Sequence, residues 1–159
     1  LYGPGDRFDL THSHVIPALL LRMQQTIATQ ASEFVVWGSG KVRREFLFVD
    51  DLARAVLQVL SVPTSRYQQP WRLAGKPQLT EFFYNVGSND EVTIASLVQT
   101  ITQVAGFQGK VVFDTDKPDG TPRKRLDCSR LHALCDWQAT TELSKGLAAT
   151  WHSLQQQSI

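Results

Sequence analysis

The sequence predicts an α/β domain, a small sheet with flanking helices, and three observations lead there. Short runs of β-branched and aromatic residues alternate with stretches whose apolar residues recur at helical spacing. Glycine, proline and aspartate punctuate the boundaries between them. At 159 residues and 42% hydrophobic composition the chain can bury one core, so a single domain over residues 1–159 is expected.

In order along the chain, residues 1–13 (LYGPGDRFDLTHS) read as a loop. A helix follows, with Pro17 in its first turn and Ile16, Leu19, Leu20, Met23 and Ile27 on one face. Phe34 to Trp37 reads as a strand closed by the turn Gly38-Ser39-Gly40, and Glu45 to Val49 as a second strand. Asp50 is the expected cap of a helix burying Leu52, Val56, Val59 and Leu60. Residues 61–80, with three prolines and no period, are expected to be irregular. Phe82 to Val86 is strand-like, and Thr93 caps a helix carrying Ile94, Leu97, Val98 and Ile101 that stops at Gly106. Lys110 to Phe113 is a strand. The stretch KPDGTPRKRLD (117–127) follows as a shaped loop, because Pro118 and Pro122 cannot donate to a ladder. Helices over Ser129–Cys135 and about Glu142–Gln156 close the chain.

Composition excludes some functions. Sixteen basic against fifteen acidic residues give a net charge of +1, without the basic excess of a general nucleic-acid binder. No apolar run spans a bilayer and no signal segment is seen, so a cytoplasmic protein without membrane partners is expected. Cys128 and Cys135, seven residues apart, would lie about 10 Å apart along a helix. That separation is too large for a disulfide, so two reduced thiols are expected.

The motifs point in different directions. Gly38-Ser39-Gly40-Lys41 is not a phosphate loop, since Val42 stands where Ser or Thr would bind magnesium. Arg43 occupies the last glycine position of a dinucleotide fingerprint, leaving a tight turn between two strands as the reading. His12 and His14 form an H-x-H pair near Asp6 and Asp9. Metal binding, a helix cap and general acid–base work all remain open for them, although no further ligand falls at a persuasive spacing. Arg22, Arg44 and Lys124 are spread along the chain, and convergence on one diphosphate is the functional reading. Solvated surface charge is the plain one.

The stretches SHVIPALL, VVWGSG followed by RREFLFVDDLA, YNVGS, and VVFDTDKPDGTPRKRLD occur in this order. Together they resemble the C-terminal half of the GDP-L-fucose synthase family, extended short-chain dehydrogenases/reductases that act as NADPH-dependent epimerase/reductases on GDP-4-keto-6-deoxymannose. The REFLFVDDLA and YNVGS segments are common to many nucleotide-sugar epimerases, whereas SHVIPALL and KPDGTPRK are particular to this branch. The resemblance covers essentially the whole chain and is weakest over residues 61–80. It implies that Lys124 binds GDP-sugar, that Asp119 contacts the nucleotide, and that Arg22, Trp37 and Arg44 are substrate-binding positions. His14 matches the family's proton donor in epimerisation, and Leu1 ends a segment that contacts NADP.

The family's Gly-rich fingerprint and Tyr-x-x-x-Lys pair do not occur here. Four residues after Tyr2, Tyr67 and Tyr84 stand Asp6, Trp71 and Ser88. Neither Cys128 nor Cys135 matches the family's catalytic base. The expectation is therefore a nucleotide-sugar-binding domain without its NADP-binding Rossmann half, opening on Leu1 as a fragment would and inactive alone. It would not bind NADP(H) tightly by itself. Its expected partners are a GDP-sugar, the missing N-terminal cofactor domain and, through the surface that domain would cover, a second copy. A binding module without chemistry, and half of another nucleotide-sugar epimerase or dehydratase, are the competing expectations.

Overall fold

The computed structural model describes residues 1–67 and 83–157. Along the chain these form α1 (Val15–Ala28), β1 (Glu33–Trp37), β2 (Arg43–Glu45), α2 (Val49–Ser61), α3 (Thr64–Tyr67) and β3 (Glu91–Thr93). Then come α4 (Ile94–Ala105), β4 (Lys110–Asp114), β5 (Arg123–Lys124), α5 (Ser129–Leu134) and α6 (Leu143–Gln157). The α/β expectation holds, with two small sheets rather than one: β1 pairs with β4 in parallel, and β2 lies between antiparallel β3 and parallel β5.

The main core is the meeting of α1, α4 and α6 with β1. Leu20, Met23, Phe34, Leu97, Ile101 and Leu147 are buried there, each contributing about 1.5–3 kcal/mol by leaving water. Thr93 caps α4 by accepting from the Ser96 N–H, and Gly106 ends it in the left-handed region, both as the sequence implied. A second cluster of Leu47, Ala55, Leu131, Cys135 and Trp137 joins α2 to α5. Cys128 and Cys135, at the two ends of α5, are buried free thiols. Burial raises the Cys128 pKa, with Glu45 adding to it.

Two fastenings hold the first residues and α2. The Tyr2 N–H donates to the Leu47 carbonyl and the Val49 N–H to the Tyr2 carbonyl, a parallel bridge that sets Tyr2 edge-on to Phe48. A Cβ on Gly146 of α6 would stand 2.3 Å from the Tyr2 hydroxyl, so the glycine admits the ring. Burial, with Asp51 adding to it, pushes the Tyr2 hydroxyl up to about 12. Asp51 itself is fully buried, ion-paired to Arg54. Its carboxylate accepts the N–H groups of Thr140 at 3.2 Å and Thr141 at 3.1 Å. Burial alone would raise its pKa, but the bonds from Thr140, Thr141 and Arg54 outweigh it and hold the carboxyl below the usual range.

Several sequence expectations need correction. The second strand is Arg43–Glu45, not Glu45–Val49, because α2 already begins at Val49 with Phe48 as its cap residue. Asp50 lies inside the first turn, where its charge suits the helix dipole, and does not cap. Of the expected buried stripe, Leu52 and Val59 pack inward but Val56 and Leu60 are exposed. Phe83 to Val86 belongs to no strand, and Phe82 lies outside the described residues; β2 instead pairs with the unforeseen Glu91–Thr93. The loop after Pro122 does contain a strand, since Arg123 and Lys124 keep their N–H groups and align with β2. Of residues 61–80, Ser61 ends α2 and Thr64–Tyr67 form a helical turn, while 68–80 lie outside the described residues. Among the described residues no helix is long and apolar enough to cross a membrane.

Asp51→Ala should remove about 2–3 kcal/mol from the stability measured in urea, since it strands two buried N–H groups and the Arg54 cation. Because the folded carboxyl titrates below its unfolded value of about 3.9, its contribution is full above that pH and fades as pH falls through the folded pKa. The difference between parent and Asp51→Ala should therefore shrink as the urea titrations are moved from pH 6 to pH 3.

Candidate functional site

The pairing of β2 with β5 creates the site. Their parallel register sets Arg43 opposite Arg123 and Arg44 opposite Lys124, two pairs of like charges on opposite faces of one sheet. One pair carries its own anion. Glu91 on β3 grips Arg123 with both oxygens, from 2.6 to 3.0 Å, and lies 3.9 Å from the Arg43 guanidinium. Hydrogen bonding from Arg123, its charge and that of Arg43 hold the Glu91 carboxyl below its ordinary pKa.

The other pair has no such partner. Among the described residues Arg44 and Lys124 make no ion pair, and the Arg44 Nη1 donates only to the carbonyls of Arg43 (2.7 Å) and Thr121 (2.6 Å). Both cations line a cavity of about 370 Å³ that also holds Leu1, His14, Gly87 and Arg125. Glu45 borders it, but its oxygens accept the N–H groups of Asn89 at 2.6 Å and Leu126 at 3.0 Å. His14 stands at the N-cap of α1 without a capping bond from its ring, which removes the helix-cap reading of that side chain. His14 also borders a second cavity of about 310 Å³ beside Leu1, Tyr2 and Asp6.

Arg22, Trp37 and Asp119 collect at the C-terminal end of β1 instead. Trp37 is 64% exposed, with the Arg22 guanidinium 5.4 Å and the Lys117 ammonium 5.8 Å from its ring. Arg22 also donates to the Val35 carbonyl, and burial lowers its pKa from the usual arginine value. Asp119 accepts the Ser39 hydroxyl at 2.6 Å and the Ser39 N–H at 2.8 Å, contacts that lower its pKa. It lies so near Gly38, whose φ is +83°, that a Cβ there would meet Asp119 at 2.5 Å. Asp119 thus braces the Gly38-Ser39-Gly40 turn, which joins strands of two different sheets. The loop from Asp119 to Lys124 links the two groups of residues, tied to Arg44 through Thr121.

The H-x-H pair is divided. His12 turns to Asp9, whose carboxylate accepts from the backbone of Thr11 and His12 and from Arg7 and is drawn down to about 2. Among the described residues no three His, Cys, Asp or Glu side chains gather as a metal ion would require. Sequence reasoning assigns no site role to Glu45, Lys117 or Arg125, although the last two belong to the cation cluster of the 117–127 loop. A signal was available for Arg125, which directly follows Lys124 in a run of three cations.

Comparison with known proteins gives a broad likeness first. Residues 1–72 match the NAD dependent epimerase/dehydratase family. A GDP-L-fucose synthetase from Naegleria fowleri, solved with NADP bound, superposes with a TM-score of 0.78 at 28% identity over 99% of this chain and 44% of that one. The particular likeness is to GDP-L-fucose synthases. The chain is 48% identical to that of Escherichia coli K12 over 95% of its own length and 45% of the relative's. It is 43% identical to a probable GDP-L-fucose synthase 1 of rice, over 95% and 41%. The resemblance read from the sequence is borne out, and the chain spans about half the length of the curated relatives it matches.

Proposed function

We propose that this chain is the nucleotide-sugar-binding half of a GDP-L-fucose synthase, the C-terminal part of an enzyme that epimerises and reduces GDP-4-keto-6-deoxymannose. One observation carries the reading: among the described residues, of two like-charge pairs on one sheet only Arg43/Arg123 has an internal carboxylate, so the Arg44/Lys124 face asks for an external anion. A diphosphate meets that demand with two charges and a forked match to arginine. Trp37, with the Arg22 guanidinium over its ring, offers an exposed aromatic surface on which a purine can stack, and the Asp119-braced turn fixes that surface.

His14 lies in the same cavity as the two cations, so a sugar joined to the diphosphate would reach it. Inverting a carbon beside a ketone takes a base on one face and an acid on the other, and an imidazole placed in the cavity can supply the acid. NADPH, when bound in the whole enzyme, supplies the hydride for the reduction. Leu1, an exposed apolar side chain on the cavity rim, fits the edge of such a cofactor and is the one contact this chain is proposed to give. The rest of the cofactor site and the remaining acid–base groups belong, in this reading, to the other half of the protein.

That half also explains the outer face of α2. Val49, Ala53, Val56, Leu57 and Leu60 form one exposed apolar stripe, with Leu57 at 68% and Leu60 at 73% exposure. The Tyr2–Phe48 bridge brings the start of the chain in beside Val49, so a preceding domain is delivered to that stripe. Without it the stripe should bind a second copy.

Three outcomes follow. Calorimetric titration should show GDP bound more tightly than UDP, and Arg44→Ala should weaken GDP about tenfold or more; equal affinities sink the reading. In a chain rejoined to its cofactor half, His14→Asn should slow epimerisation about 10²–10⁴-fold while GDP-sugar still binds. Sedimentation should show concentration-dependent association that Leu57→Glu with Leu60→Glu abolishes, whereas a parent that stays monomeric contradicts the docking face.

A further inference from the structure

Arg125 has no place in the reading above, yet its position is unusual. It follows β5 directly and lines two cavities: the one holding Arg44, Lys124 and His14, and a larger cleft of about 750 Å³ bordered by Asn89, Arg123, Asp127, Ser129 and His132. Its backbone is fixed on both sides. The preceding residue, Lys124, is paired to Arg44 across the strands, and the N–H of the following residue, Leu126, donates to Glu45 at 3.0 Å. The wall that carries Arg125 is therefore held by two independent contacts.

The side chain, by contrast, is uncommitted. Among the described residues its guanidinium makes no hydrogen bond or ion pair. Glu91 and Asp127 feel its charge, but Glu91 is already held by Arg123 and Asp127 accepts the N–H of Ser129 at 2.9 Å. Arg123 is neutralised and Arg44 has one nitrogen engaged by carbonyls, which leaves Arg125 as a complete, free five-donor fork beside the unpaired cations.

Resting on the proposed nucleotide-sugar site, we infer that Arg125 is a further phosphate-binding residue of that site, acting beside Arg44 and Lys124. Arg125 lines both cavities, so its guanidinium is within reach of the phosphates from the wall the two cavities share. Its charge acts on Glu91 and Asp127 only at a distance, unlike that of its neighbour Arg123, which Glu91 grips directly.

Titrating GDP and guanosine into the parent chain, Arg125→Gln and Arg44→Gln separates this inference from the reading beneath it. The expected result is about tenfold weaker GDP binding by Arg125→Gln, the loss of one charge-assisted contact, with guanosine affinity and the thermal midpoint unchanged. GDP affinity within twofold of the parent in Arg125→Gln, while Arg44→Gln is weakened, overturns the role of Arg125 and leaves the site standing. An equal loss for guanosine and GDP overturns it too, because the defect is then in pocket shape and not in phosphate contact. A parent chain that does not bind GDP at millimolar concentration, or an Arg44→Gln chain that binds it as the parent does, removes the site and the inference together.

Discussion

The register of β2 against β5 is the constraint on which the rest of the site depends. Sliding the pairing by one residue would turn Lys124 to the face of Glu91 and Arg123 into the cavity, since successive strand residues alternate faces. In the observed register like charges stand opposite each other twice, an arrangement that weakens a sheet unless each pair finds a counter-charge. Glu91 supplies one internally. Among the described residues the other pair has none, and it lies at a cavity that a histidine also lines. A protein that needed only a stable sheet would have filled the second position with a carboxylate.

Around that sheet the fastenings are polar and few. Asp51 ties the start of α2 to Thr140 and Thr141, and Glu45 ties β2 to the backbone at Asn89 and Leu126. Both are carboxylates receiving backbone N–H groups, which fixes segments that carry little apolar surface of their own. The main core under α1, α4 and α6 meets these contacts through Tyr2 and Phe48. Stability and site geometry are thus divided between two kinds of interaction, apolar packing for the helices and anchored carboxylates for the strands and loops at the cavity.

How much was legible in the sequence follows from the same division. α1 and α4 could be read because their buried residues repeat locally, and Thr93 and Gly106 mark the ends of α4 by local chemistry. β2, β3 and β5 could not, because strands of two or three residues have no period and exist through partners distant in the chain. Arg44 and Lys124 were singled out as cations and by their family likeness, but nothing local said that they face each other or that Glu91 leaves them alone. Asp119 was expected as a ligand contact, and its bonds to Ser39 give it a bracing position that no spacing rule contains. The α2 stripe misled for the opposite reason: the helix is apolar on two sides, and periodicity cannot say which one is covered.

The contact between Tyr2 and Gly146 has a consequence for how this sequence can change over time. Glycine inside a helix is about 1 kcal/mol worse than alanine, so drift toward alanine at position 146 should be favoured in isolation. Here the Tyr2 hydroxyl and Phe48 occupy the space that a methyl group would need. A smaller side chain at position 2 must therefore come first, and until it does the replacement at 146 is barred. The two positions, one near each end of the chain, are expected to vary together and in a fixed order, although neither belongs to the site.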